Sequence, residues 1–166
     1  MDLSRLTQKS QEALAAAQSL AIEHSHPETA TEHLLLALLD QEQGLVPRLL
    51  QRGGLVPEAL AQQVRRSLES KPRLSGPGVE PGRIVVAQDL QKVLVGAQRI
   101  AGEMRDEYVS VEHLLMAMLE EDASPVRELL RTHGLDPKSL RAAIEQVRGG
   151  QHVTSPTPED AYEALE

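Results

Sequence analysis

Cysteine is absent from this sequence, which excludes disulfides and thiolate chemistry and fits a cytoplasmic protein. Phenylalanine and tryptophan are absent too, and Tyr108 and Tyr162 are the only aromatics. A core must therefore be assembled from Leu, Val, Ile, Ala and Met. Side chains of that kind, Leu and Ala above all, favour helix over sheet because they lose little rotamer freedom there. Positive charge is in deficit: the 166 residues carry a formal net charge of −8. That balance argues against a nucleic-acid surface and against docking on anionic lipid. No apolar run is long enough to span a bilayer, and the opening "MDLSRLTQKS" lacks the apolar stretch of a signal peptide. Glycine-rich phosphate loops, G-x-S-x-G elbows and H-E-x-x-H pairs are also missing.

What the sequence does contain is itself, twice. "EHLLLALL" begins at Glu32 and "EHLLMAML" at Glu112, 80 positions apart. The same offset aligns Gln8 with Gln88, Ala17 with Ala97, Leu49 with Leu129, Gly54 with Gly134 and Pro57 with Pro137. About a third of positions are identical, without a gap, over residues 7–64 and 87–144. A duplicated structural unit follows.

Each unit reads as four helices. The first covers about 8–24 and 88–104, with apolar residues at i, i+3, i+4 and i+7 (Leu14, Ala17, Ala21; Leu94, Ala97, Ala101). Thr7 is its N-cap in the first copy. The second, near 31–40 and 111–120, is the EHLL helix. The third covers about 45–52 and 125–132, each copy ending before a C-terminal glycine, Gly54 or Gly134. The fourth starts at Pro57 and Pro137, the latter after a good cap, Asp136. The expected architecture is all-α: two pseudo-symmetric four-helix repeats in one compact bundle over 1–148. Repeat one spans 4–70 and repeat two 84–148. "KPRLSGPGVEPGR" (71–83) is a loop between them, and 149–166 a flexible linker with the start of a further helix.

No catalytic constellation emerges, so the chain reads as non-catalytic. His33 and His113 each follow a glutamate, the reverse of the zinc-protease order, and no second histidine follows; scaffold is the better reading. No metal site is expected. What remains is binding. A groove lined by Leu, Val, Ile and Met where the two repeats meet would hold unfolded polypeptide without strict sequence demands.

Four stretches carry a family resemblance: "LTQKSQEALAAAQSLA", "TEHLLLALLDQEQGLVPRLLQRGG", "DEYVSVEHLLMAML" and the tail "VRGGQHVTSPTPEDAYEALE". They resemble the N-terminal (Clp N) domain of the ClpB family, AAA+ protein disaggregases. The resemblance implies a substrate-binding domain that engages unfolded or aggregated polypeptides for disaggregation and refolding after heat stress. It implies a parent protein that binds ATP and Mg in modules beyond this chain, forms a hexamer and cooperates with the DnaK system through other regions. The isolated domain is expected to be a monomer, without cofactor, nucleic acid or membrane partner. Family-sensitive polar positions correspond to Thr7, Asp106 and Glu112. The family's peptide groove maps to Val93, Leu94, Ala97 and Ile100, with Tyr108 at its edge. The alternative is an adaptor- or degron-binding domain of a ClpC- or ClpA-type protease-associated ATPase. There Glu32, a possible second acidic site, and Glu112 would read phosphorylated arginine.

Overall fold

The computed structural model describes residues 3–73 and 85–163. Repeat one holds α1 (Gln8–Glu23), α2 (Thr31–Asp40), α3 (Leu45–Arg52) and α4 (Pro57–Glu69). Repeat two holds α5 (Gln88–Glu103), α6 (Val111–Glu120), α7 (Arg127–Thr132) and α8 (Pro137–Arg148). A short α9 (Pro158–Glu163) follows. The all-α, two-repeat architecture expected from the sequence is the one observed, with α7 starting two residues later than the copy pattern indicated. Most of the inter-repeat loop expected over 71–83 lies outside the described residues.

The EHLL helices are hydrophobic all round, and a helix of that kind has to be buried on every side. Residues 31–39 of α2 and 111–119 of α6 are all buried. Around them pack α1 and α4 in repeat one, and α5, α7 and α8 in repeat two. Helix α3 crosses to α6 and α8, so a single hydrophobic core runs through both repeats.

The repeats also exchange their N-terminal arms. Two-residue strand β1 (Glu28–Thr29) pairs in parallel with β2 (Val85–Val86), and Leu6 forms the equivalent bridge to Val109. The Ala87 N–H donates to the Thr29 carbonyl (2.9 Å), and the Thr7 N–H to the Val109 carbonyl (3.0 Å). Each arm thus enters its own repeat's first helix after binding the other repeat's α1–α2 or α5–α6 turn.

Those turns are made without glycine. Ser25 and Arg105, again 80 apart, adopt left-handed φ values of 56° and 60°. The Asp106 N–H returns to the Ala101 carbonyl and the His26 N–H to the Ala21 carbonyl, both at 2.9 Å. This C-terminal lock is what turns His26 and Asp106 back toward the EHLL helices.

Candidate functional site

Two features separate themselves from the core: an apolar groove and a buried ionic cluster. The groove, about 540 Å³, lies between α1 and α5 and is lined by Leu3, Leu14, Gln18, Val86, Gln91, Leu94 and Val95. Two of these are large hydrophobic side chains left open to solvent, Leu3 at 57% and Val95 at 62% exposure. The wall bearing Leu3 is the arm that crosses to Val109. The Gln11 amide ties that arm to α1 through the Leu6 carbonyl (3.0 Å).

Of the groove residues expected from the sequence, only Leu94 lines it. Val93, Ala97 and Ile100 are fully buried, on the face of α5 that packs against α6. They belong to the core because the i, i+3, i+4, i+7 stripe is the face a helix spends on its own repeat. Tyr108 is half-buried and is not part of the lining. Val95, which the stripe excludes, is the accessible neighbour. Its mark in the sequence is a β-branched apolar residue where the other copy has Ala15.

The ionic cluster gathers the polar candidates. Thr7 caps α1, its hydroxyl accepting from the Ser10 N–H (3.2 Å). Asp106 and Glu112 are buried, 7% and 0% exposed, so neither presents itself to a client. Both meet Arg148: Nη2 lies 3.0 Å from Asp106 Oδ2, and Nε donates to Glu112 Oε2 at 3.0 Å. His113 completes the group. Its Nδ1 accepts from the Ser110 N–H (2.9 Å), so Nε2 carries the hydrogen and donates to Asp106 Oδ2 (2.7 Å). Burial alone would raise the Asp106 carboxyl; the hydrogen bonds from His113, the Val153 N–H and Arg148 outweigh it and hold it at about 2. Burial likewise works against the Arg148 cation, and the charges of Glu112 and Asp106 more than restore it.

The first copy solves the same position without charge. His33 Nδ1 accepts from the Ala30 N–H (2.8 Å), and its Nε2–H donates to His26 Nδ1 (2.8 Å) where His113 has Asp106. Burial, then the neighbouring His26, pushes His33 down to about 4. Leu68 stands where Arg148 stands, fully buried. Glu32 is 7% exposed and pairs with Lys71 at 3.0 Å. The two histidines are scaffold, as the reversed motif indicated: each ring closes the first turn of its own helix.

The segment read as a flexible linker is held against this cluster. The Val153 N–H donates to Asp106 Oδ1 (2.9 Å), the Glu107 N–H to the Val153 carbonyl (2.8 Å), and the Gln8 N–H to the Pro156 carbonyl (2.8 Å). Val153 and Tyr162 are fully buried, and the Arg148 guanidinium lies 5.9 Å from the Tyr162 ring centre. Its Pro, Gly, Ser and Thr residues lack periodicity because it forms little regular structure of its own, and that pattern says nothing about contacts with the body. Arg148, Glu159 and Tyr162 escaped sequence reasoning. One signal was available: where the copies differ, Leu68 becomes Arg148 and His26 becomes Asp106, a cation and an anion gained together.

Residues 5–133 and 87–162 match the Clp repeat (R) N-terminal domain family. The chaperone protein ClpB of Nitratidesulfovibrio vulgaris is 50% identical to the chain over 167 residues, covering all of the chain and 19% of that protein. The chain thus spans about a fifth of the length of the curated relatives it matches. The Hsp104 N-terminal domain from Candida albicans has a TM-score of 0.78 at 21% identity, over 93% of this chain and 98% of that one, which shows a common fold. So does a ClpV N-domain solved in complex with a VipB peptide, with a TM-score of 0.67 and 23% identity over 86% of each chain.

Proposed function

The chain belongs to the Clp repeat N-terminal domain family, and on that premise we propose that it is the non-catalytic, polypeptide-binding domain of a ClpB-type ATP-dependent chaperone. The observation that carries this reading is the α1–α5 groove with Leu3 and Val95 exposed on its walls. Its volume suits a few apolar side chains of an extended segment. Gln18 and Gln91 on the walls supply amide groups for the segment's backbone. Binding is then weak and sequence-tolerant, because a shallow apolar groove rewards buried area more than geometry. Unfolded or aggregated polypeptides are the expected clients, for disaggregation and refolding after heat stress. ATP and Mg act in modules outside this chain, the DnaK system meets other regions, and the parent works as a cytoplasmic hexamer. A domain of the same fold holding a VipB peptide supports a polypeptide ligand.

The adaptor- or degron-reading alternative needs Glu32 and Glu112 as open anion receptors for a modified arginine. Glu112 is fully buried and bound to Arg148, and Glu32 is already matched to Lys71. The groove reading is favoured on that ground.

The test is titration with casein, followed by NMR. Shifts are expected at Leu3, Leu14, Leu94 and Val95, and Val95→Asp is expected to weaken binding about tenfold, the size of effect that charging one apolar contact produces. Unaltered affinity in Val95→Asp, or shifts confined to another face, would refute the groove.

A further inference from the structure

We propose that the Asp106–Glu112–Arg148 cluster is a docking site for the chain's own segment 152–162, a latch that closes and opens as a unit while the two repeats stay folded. Three observations converge on this. The first is what holds the segment. Its anchors are four buried residues, Val153, Pro158, Glu159 and Tyr162, and a few hydrogen bonds to Met104, Asp106, Glu107 and Gln8. Of the repeats' helices, α1 takes one backbone partner from it, the Pro156 carbonyl that receives the Gln8 N–H at its first turn.

The second is what its docking leaves unmet. Both oxygens of Glu159, Oε1 of Glu112 and the Tyr162 hydroxyl are buried without a hydrogen-bond partner among the described residues. Thr7 faces Glu159 without closing a bond to it. Each such group is stabilised by water when the segment lifts, so opening is far cheaper than unfolding an apolar core.

The third is the built-in control of the duplication. Repeat one reaches the same fold with Leu68 and His26 at the Arg148 and Asp106 positions. The Asp106–Arg148 pair is therefore not required to build a repeat, although Glu32 of repeat one still finds a cation in Lys71. The pair in repeat two has a use that repeat one lacks: Asp106 receives the Val153 N–H, and Arg148 underlies the Tyr162 ring. In relatives about five times the length of this chain, such a latch would decide whether the domain is tethered closely or swings freely.

Glu159 makes the latch responsive to protons. It faces Glu112 from α6, Thr7 from the start of α1, and Asp160 and Tyr162 on its own helix. Burial, then the charge of Glu112, raises its carboxyl to about 8. It docks as the neutral acid, and rising pH charges it in place and drives it out.

Tyr162 reports the state directly. The sequence has no tryptophan, so in a Tyr108→Phe background Tyr162 is the only fluorophore, and acrylamide quenching reads its exposure. At pH 7 the parent is expected to be protected. Val153→Asp, which alters the segment and not the repeats, is expected to raise quenching by roughly fivefold with the helical circular dichroism retained. Between pH 7 and 9.5 quenching is expected to rise in the parent and stay low in Glu159→Gln. Persistent protection in Val153→Asp, or exposure only together with loss of the helical signal, overturns the latch. An identical pH response in parent and Glu159→Gln, or none in either, overturns its proton dependence.

Discussion

Replacing Asp106 by Asn removes one charge and keeps the shape, which makes it the sharpest perturbation of the ionic cluster. Asp106 receives His113 at 2.7 Å, the Val153 N–H at 2.9 Å and Arg148 at 3.0 Å. An Asn oxygen can still serve Val153. Its NH₂ must then face His113 Nε2–H, donor against donor, and the ring cannot change tautomer because Nδ1 is taken by the Ser110 N–H. Arg148, 4% exposed, keeps only Glu112 as a counter-charge. Breaking a buried ion pair by removing one partner costs about 3–5 kcal/mol. For a chain of this length each kcal/mol lowers Tm by about 2–4 °C, so a fall of about 6–20 °C is expected by circular dichroism at pH 7. The acid limb gives a second readout. The folded carboxyl titrates at about 2 against an ordinary 3.8. Its stabilisation is therefore present above 3.8, is lost as pH falls through 2, and should be missing from the Asp106→Asn pH profile. A loss below about 1 kcal/mol would mean that water already solvates the cluster, and the account of it as a buried ionic site would fail.

Two further outcomes are expected. His33 is held neutral by burial, its value moved from 6.5 to about 4. Below 6.5 the unfolded chain takes a proton that the folded chain resists, so stability should fall by roughly 3 kcal/mol between pH 6.5 and 4. Urea unfolding of the parent against His33→Gln isolates this from Glu159, whose contribution is full below 4.5 and lost as pH rises through about 8. An equal decline in both proteins would exclude His33 as its source. Gly134 has φ of +101° with no atom within 4 Å of an added Cβ, so Gly134→Ala should cost only backbone strain, about 1 kcal/mol. An unchanged melting curve would refute that reading.

The duplicate pattern made the helices legible because each repeats a period that only a helix satisfies. Thr7 and Asp136 were legible as caps for the same local reason: each side chain bonds a backbone N–H three residues on, Ser10 and Ser139. Pro57 starts α4 although Val56 makes no side-chain cap, a case where proline's fixed φ and tertiary packing suffice. The groove was only partly legible. The periodic stripe marks the buried face of α5, and for Val93, Ala97 and Ile100 that face is core.

By itself, then, the sequence determined the helical class, the duplication, most helix boundaries and the absence of cysteine chemistry, because these depend on composition and near-neighbour spacing. Only the tertiary structure decided that the N-terminal arms cross between repeats, that Val95 rather than Val93 meets solvent, and that Asp106, Glu112 and Arg148 converge beneath Tyr162. Those facts join residues tens of positions apart in the chain. Their contacts are selected by packing the whole core at once, and no local pattern encodes them.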